Sequence, residues 1–225
     1  REKEPNVEST GAANTLVRRD DGKFSAANTD YSAAVNSLKA FLAEKAQDGP
    51  VVQLSQLSVL ILGAGGVARA IAHALHREGS QITISSRTED RTQRLAEEVK
   101  CKGVDWHARH NVSFDVLINC TPAGMHPNVD ESPVHFSVLK PGVIVFDTIY
   151  NPETTLMIRE ARSRGCDTIT GVDMFVRQAA RQFELFVGES PDLAIMRNIV
   201  RKALSPLTKA IESTHVEAPA SEPDA

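Results

Sequence analysis

The chain has 225 residues, room for one large domain or for a domain with part of a second. Its 41% hydrophobic and 24% charged content are ordinary for a globular protein, which sets aside fibrous and low-complexity classes. With 5% aromatics and a net charge of −4 it offers neither a base-stacking platform nor the basic stripe of a phosphate-backbone binder, so nucleic acid is not an expected partner. Cys101, Cys120 and Cys166 are widely spaced and form no CxxC pair. His107, His110 and His126 stand at no metal-ligand spacing around them. Free thiols in a reducing cytosol and no bound metal are expected. No apolar run approaches the roughly 20 residues of a bilayer span. The opening Arg1-Glu-Lys-Glu-Pro5 is unlike a signal peptide and lacks an initiator Met, so it reads as an internal cut in a longer cytoplasmic chain.

Residues 1–10 are polar without periodicity and read as loop. Residues 13–18 (ANTLVR) read as a short strand, the Arg19-Asp-Asp-Gly22 cluster as a turn, and 23–27 as a returning strand. Over 31–45 the apolar Ala34, Val35, Leu38, Phe41 and Leu42 recur at helical spacing, with Asn28, Thr29 and Asp30 ahead of them as capping residues. Gln47-Asp-Gly-Pro50 breaks the chain. Residues 57–62 (LSVLIL) form a nearly continuous apolar strand, as in a parallel sheet covered on both faces. A helix at 67–78, a strand at 81–85 and a helix at 88–100 follow, then strands at 115–119 and 143–147, with 104–107 a weaker strand pattern. A helix at 153–163, a strand at 167–170 and helices at 174–187 and 193–204 complete the pattern, and after Pro206 a Glu-, Ser-, Ala- and Pro-rich stretch reads as a disordered tail. The alternation predicts an α/β fold, a Rossmann-like doubly wound parallel sheet over 46–190. Residues 1–45 would be the remnant of a second α/β substrate domain, 191–205 a C-terminal helix and 206–225 the tail.

Gly63-Ala-Gly65-Gly66-Val67-Ala68 falls between the buried strand and an amphipathic helix, the context in which a GxGxxA pattern signals a dinucleotide site. Gly63 allows the tight turn, Gly65 lets backbone approach a pyrophosphate, and Ala68 permits close helix–strand packing. The helix N-terminus offers unpaired N–H groups and a positive dipole end to phosphate. At the end of the next strand, where an NAD site usually carries an acid for the ribose 2′-OH, the chain reads Ser85-Ser86-Arg87-Thr88-Glu89-Asp90-Arg91. Arg87 takes the place of the acid and Arg91 lies one helical turn on. Two guanidiniums suit a 2′-phosphate, in bonds worth about 1.5–3 kcal/mol each. The plainer alternative is that they pair with Glu89 or Asp90 at the surface. NADP is the expected cofactor.

GAANT (11–15), NTDY (28–31), GAGGVARA (63–70), SRTEDR (86–91), NCTPAGM (119–125), DTIYNP (147–152) and GVDMFVRQAARQF (171–183) occur in one order. In that order and spacing, over roughly residues 11–204, the chain resembles the shikimate dehydrogenase family. The resemblance implies NADP-dependent reduction of 3-dehydroshikimate to shikimate, on the route to aromatic amino acids. It implies Asp30 as a catalytic residue working beside a lysine at the reacting carbonyl, and Asn14, Tyr150 and Gln178 as substrate-binding residues. Thr121 and Met174 would line the nicotinamide side, with Gly171 at a close backbone approach. Gly63, Gly65, Gly66, Val67, Ala68, Ser86, Arg87, Thr88 and Arg91 would hold the rest of the cofactor.

Each of these residues has another use. Asp30 can be an N-cap, Asn14 and Tyr150 can shape turns, Gln178 can face water, and Met174 and Phe175 can be core. Cys120 reads as a small buried hydrophobe. In the family the catalytic lysine and two carboxylate-gripping serines precede the GAxNT motif, so this chain is expected to lack them, to be inactive alone, and to self-associate, as a homodimer or otherwise, through the face left open. Its start is in keeping with one module of a multifunctional dehydroquinate dehydratase/shikimate dehydrogenase chain. Two rival readings stand beside this one: quinate/shikimate dehydrogenation with NAD, and a non-catalytic NADP-binding regulatory module.

Overall fold

The computed structural model describes residues 2–47 and 49–204. The expected loop at 1–10 instead contains β1 (Glu2–Lys3) and α1 (Pro5–Thr10). Pro5 starts that single helical turn, Gly11 ends it in the left-handed conformation, and Val7 and Thr10 are buried beneath it. A six-residue helix is too short to show a period, which is why composition hid it. β2 (Thr15–Arg18) and β3 (Phe24–Ala27) form an antiparallel pair, and β1 adds to β3 in parallel, giving the order β1-β3-β2.

α2 (Thr29–Ala46) follows, burying Ala33, Ala34, Leu38 and Leu42 on one face. Its capping differs from expectation. Asn28 is the N-cap residue, but its side chain does not cap; it donates to the Ala12 carbonyl at 3.2 Å. The Thr29 N–H is taken instead by Asn14 Oδ1 at 3.0 Å, from across the hairpin.

Six parallel strands make the main sheet: β4 (Ser58–Leu62), β5 (Gln81–Ser85), β6 (Lys102–Val104), β7 (Val116–Asn119), β8 (Ile144–Asp147) and β9 (Asp167–Ile169), in the order β6-β5-β4-β7-β8-β9. The crossovers are α3 (Gly66–Arg77), α4 (Glu89–Val99) and α5 (Leu156–Ser163). Alternate residues of β4 explain its unbroken apolar run. Val59 and Ile61 pack with Ile71, Leu75, Ile84 and Ile118 on one face, while Leu60 and Leu62 pack with Leu117, Val145, Met157 and Ile158 on the other. Successive strands run outward from β4 in both directions, so a crevice opens at the C-terminal ends of β4 and β7, where such sheets hold ligands.

Three boundaries shift. The weak strand at 104–107 lies earlier, at β6, because Asp105 Oδ1 takes the His107 N–H and starts a 3-10 turn over His107–Asn111. The helix expected from 153 begins at Leu156, since Thr155 caps it by accepting from the Ile158 N–H. The helix expected from 174 is α6 (Gly171–Val187), three residues longer at its N-terminus. α6 packs against α2 and β2, and α7 (Leu193–Leu204) packs on α6. Among the described residues no helix is long and apolar enough to cross a membrane. The tail expected at 206–225 lies outside the described residues.

Candidate functional site

The glycine loop joins β4 to α3. Gly63 has φ +110°, its N–H donates to the Ser85 carbonyl at 2.8 Å, and a Cβ there would stand 2.9 Å from the Cys120 carbonyl oxygen. Only glycine fits that turn. Gly65 and Gly66 differ, since a Cβ on either would meet no atom within 4 Å. The N-terminus of α3 therefore faces open space, and no side chain caps it. Ala68 is fully buried against the sheet.

Arg87 and Arg91 are exposed at the end of β5 and the start of α4. Among the described residues neither forms an ion pair with Glu89 or Asp90, so the surface-pairing alternative has no support in the structure. Thr88 is the N-cap residue of α4 and its side chain makes no cap bond. Ser86, which the resemblance gives to the cofactor site, is buried, and its hydroxyl pairs with Thr92 Oγ1 at 2.7 Å.

Two adjoining cavities lie at this end of the sheet. One, of about 490 Å³, is lined by Cys120, Thr121, Met125, His126, Thr148 and Tyr150. The other, of about 260 Å³, is lined by Asn14, Asp30, Val67, Met174, Phe175 and Gln178, with Gly171 and Gln182. Thr148 and Tyr150 face both and form the shared wall. Gly171, at the N-terminus of α6, sits so close to that wall that a Cβ would fall 2.2 Å from the Ile149 carbonyl oxygen.

The smaller cavity is built on a directed hydrogen-bond chain. Gln182 Nε2 donates to Thr15 Oγ1 at 3.2 Å, and Thr15 Oγ1 donates to Asn14 Oδ1 at 2.9 Å. Asn14 Nδ2 donates to Thr29 Oγ1 at 2.9 Å, and Thr29 Oγ1 donates to Gln178 Oε1 at 3.3 Å. The chain joins the middle of α6 to the hairpin and to the first turn of α2. Asp30 hydrogen-bonds Asn14; burial raises its carboxyl pKa above the usual range, and that bond offsets part of the rise. Asp30 thus stands in the second residue of α2 and lines the cavity as well, while Asn28 holds the cap position. Gln178 is engaged with Thr29 rather than turned to water alone. Met174 is both buried and cavity-lining.

Sequence reasoning passed over Thr15, Thr29 and Gln182 as participants. Thr15 was visible only as a letter of its motif and Thr29 only as a capping residue, and Gln182 lies one helical turn beyond Gln178 on the same face. Phe175, read as core, also lines the cavity and stacks on Tyr150 with ring centroids 4.5 Å apart. For Cys120, burial and the Asp147 and Asp30 carboxylates push the thiol pKa well up, which leaves it a poor nucleophile. Beneath the larger cavity Asp147 is fully buried, and burial raises its pKa to about 6. Among the described residues no group of three or more His, Cys, Asp or Glu is arranged to hold a metal.

Residues 42–148 match the shikimate / quinate 5-dehydrogenase family, and residues 171–201 match the shikimate 5′-dehydrogenase C-terminal domain. The chain is 35% identical over 210 residues to the shikimate dehydrogenase (NADP(+)) of Methanosarcina barkeri, a match covering 89% of this chain and 72% of that protein. It is 37% identical over 195 residues to the chloroplastic bifunctional 3-dehydroquinate dehydratase/shikimate dehydrogenase of Arabidopsis thaliana, covering 83% of this chain and 32% of the relative. The match thus spans under a third of the two-activity protein but most of the single-activity one. Among solved structures, shikimate 5-dehydrogenase from Thermus thermophilus in complex with NADP(H) and shikimate superposes with a TM-score of 0.77 at 30% identity, over 90% of this chain and 72% of that one. By sequence and by fold, the chain belongs to the shikimate dehydrogenase family.

Proposed function

We propose that this chain carries the nucleotide site and one wall of the substrate site for the NADPH-dependent reduction of 3-dehydroshikimate to shikimate. The observation that carries the reading is the pair of cavities sharing Thr148 and Tyr150, one of them lined by Asn14, Asp30 and Gln178. A polyol with a carbonyl needs several hydrogen-bonding groups aimed into one pocket, and a cofactor sensor has no use for that trio.

The residues fit NADP(H). The uncapped N-terminus of α3 with open space before Gly65 and Gly66 suits a pyrophosphate. Arg87 and Arg91, both exposed, suit a 2′-phosphate. When bound, the nicotinamide supplies the hydride that adds to the carbonyl carbon. The chain's own residues do the rest. Asn14 and Gln178, held by Thr15, Thr29 and Gln182, fix the orientation of the substrate hydroxyls. Asp30, anchored by Asn14, accepts a hydrogen bond from the substrate beside the reacting carbonyl and steadies the proton donor there. Among the described residues no lysine or arginine is paired with Asp30.

The test is a titration with NADPH and separately with NADH, followed by 3-dehydroshikimate. NADPH should bind at least about tenfold more tightly than NADH, as one charge-assisted bond to a 2′-phosphate implies. Absence of binding by either nucleotide would overturn the reading. Where turnover is seen, Asp30→Asn should lower kcat more than it raises KM; undiminished kcat would remove Asp30 from the chemistry. A preference for NADH and quinate would favour the sister activity.

A further inference from the structure

We propose that Asp147 is a positioning residue for the nicotinamide end of this site, an inference that rests on the function proposed above. Its side chain lies beneath the cavities and lines neither. It is the last residue of β8 and is 0% exposed. Three groups from three different segments converge on its two oxygens. Oδ1 accepts from the Ile149 N–H at 3.1 Å and from Asn119 Nδ2 at 3.1 Å, and Oδ2 accepts from Thr155 Oγ1 at 2.7 Å.

What those three groups hold is the cavity wall. Ile149 lies between Thr148 and Tyr150, the two residues that face both cavities. Thr155 caps α5 and so fixes the far end of the 148–155 loop. Asn119 is the last residue of β7, and its amide is a relay with a fixed sense. An ionised carboxylate and a carbonyl only accept, so the Asn119 NH₂ points at Asp147 and at the Ala123 carbonyl, 3.3 Å away, and its Oδ1 points the other way. There it accepts from the Thr121 N–H at 2.9 Å and from Thr121 Oγ1 at 2.7 Å. The Asn119 carbonyl closes the circuit by accepting from the Thr148 N–H at 3.0 Å and Thr148 Oγ1 at 2.8 Å. One buried carboxylate thereby sets the backbone and side-chain positions of Thr121, Thr148 and Tyr150 together. Among the described residues no side-chain hydrogen bond of this group runs to Arg87, which stands at the end of β5, beyond β4.

The consequence is selective for one end of the cofactor, and it can be read without turnover. Two ligands serve as probes: NADPH, and 2′-phospho-ADP-ribose, which keeps the phosphates and lacks the nicotinamide. In the unaltered chain NADPH should bind more tightly than the truncated ligand. Asp147→Asn, nearly the same shape, replaces one of the two acceptor oxygens by an NH₂, which must then face the Thr155 hydroxyl or the Ile149 N–H and the Asn119 amide. It should weaken NADPH by about 5- to 30-fold, the loss expected for one or two buried hydrogen bonds, and leave 2′-phospho-ADP-ribose within about twofold. Thr155→Val removes the bond to Oδ2 together with the cap of α5 and should give a loss of the same kind, restored by Thr155→Ser. Equal weakening of both ligands, in step with a fall in melting temperature, would make Asp147 merely structural and overturn the inference. Unchanged NADPH affinity in Asp147→Asn would overturn it as well. Failure of the unaltered chain to bind either probe would instead sink the functional reading beneath it.

Discussion

Two glycines that look alike in the sequence should fail in opposite ways when each is replaced by alanine. At Gly171 a new Cβ would lie 2.2 Å from the Ile149 carbonyl oxygen, 2.3 Å from its carbon and 2.7 Å from the Thr148 carbonyl oxygen. Real contacts of this kind rarely fall below about 3.4 Å, so α6 or the 148–149 backbone must retreat by roughly 1 Å. Backbone cannot yield as a side-chain tip does, so the cost lies at the upper end of overpacking, about 3 kcal/mol or more. For a chain of this size that lowers the melting temperature by about 6–12 °C. A displacement of about 1 Å in the wall between the two cavities should also cost on the order of 10²-fold in any turnover. At Gly65 a Cβ meets nothing within 4 Å and φ is −88°, which any residue adopts. Gly65→Ala should therefore leave melting within about 2 °C, yet its methyl group enters the space proposed for the pyrophosphate and should abolish tight NADPH binding. Thermal unfolding and nucleotide titration on both variants form the assay. A Gly171→Ala chain that melts like the parent, or a Gly65→Ala chain that binds NADPH like the parent, would refute the reasoning.

Other expectations follow from the same coordinates. Arg87→Gln should weaken NADPH by about 10- to 100-fold and leave NADH within about twofold, since only the 2′-phosphate would use that guanidinium; parallel loss of both nucleotides in a titration would contradict it. The pH dependence of stability should carry a signature of Asp147. Its folded pKa of about 6 lies above the ordinary carboxylate value of about 4, so between those values the native state binds the extra proton. Stability should then fall as pH rises through about 4 to 6, by about 3 kcal/mol from this group, and Asp147→Asn should lack that slope. Urea unfolding of both proteins across that range is the measurement, and matching slopes would rule the assignment out.

Much of the parallel sheet was legible because its strands are buried on both faces and its helices carry one apolar stripe, so the periods of residues 57–100 are clear. The glycine loop was legible for the same reason, since a strand and a helix frame it. What escaped were features made by contacts across the chain. α1 is a single turn whose Val7 finds cover only from the tertiary fold. The cap of α2 is supplied by Asn14, fourteen residues before the Asn28 that local rules nominate. The Ser86 hydroxyl is held by Thr92, six residues on in α4, a contact that no local pattern announces. Gln182 carried no motif signal; its part in the cavity depends on α6 crossing β2, which no local pattern encodes.

That crossing has a larger implication. α6 is a single rod of 17 residues, about 25 Å long, whose first residue abuts the 148–149 backbone and whose middle is tied to Thr29 and Thr15. A rod held at its start and at its middle cannot tilt at one without moving the other. On the function proposed above, nucleotide at the Gly171 end and substrate at the Gln178 end would act on a common lever. Any coupling of their affinities through it would be reciprocal, each ligand changing the other's affinity by the same factor.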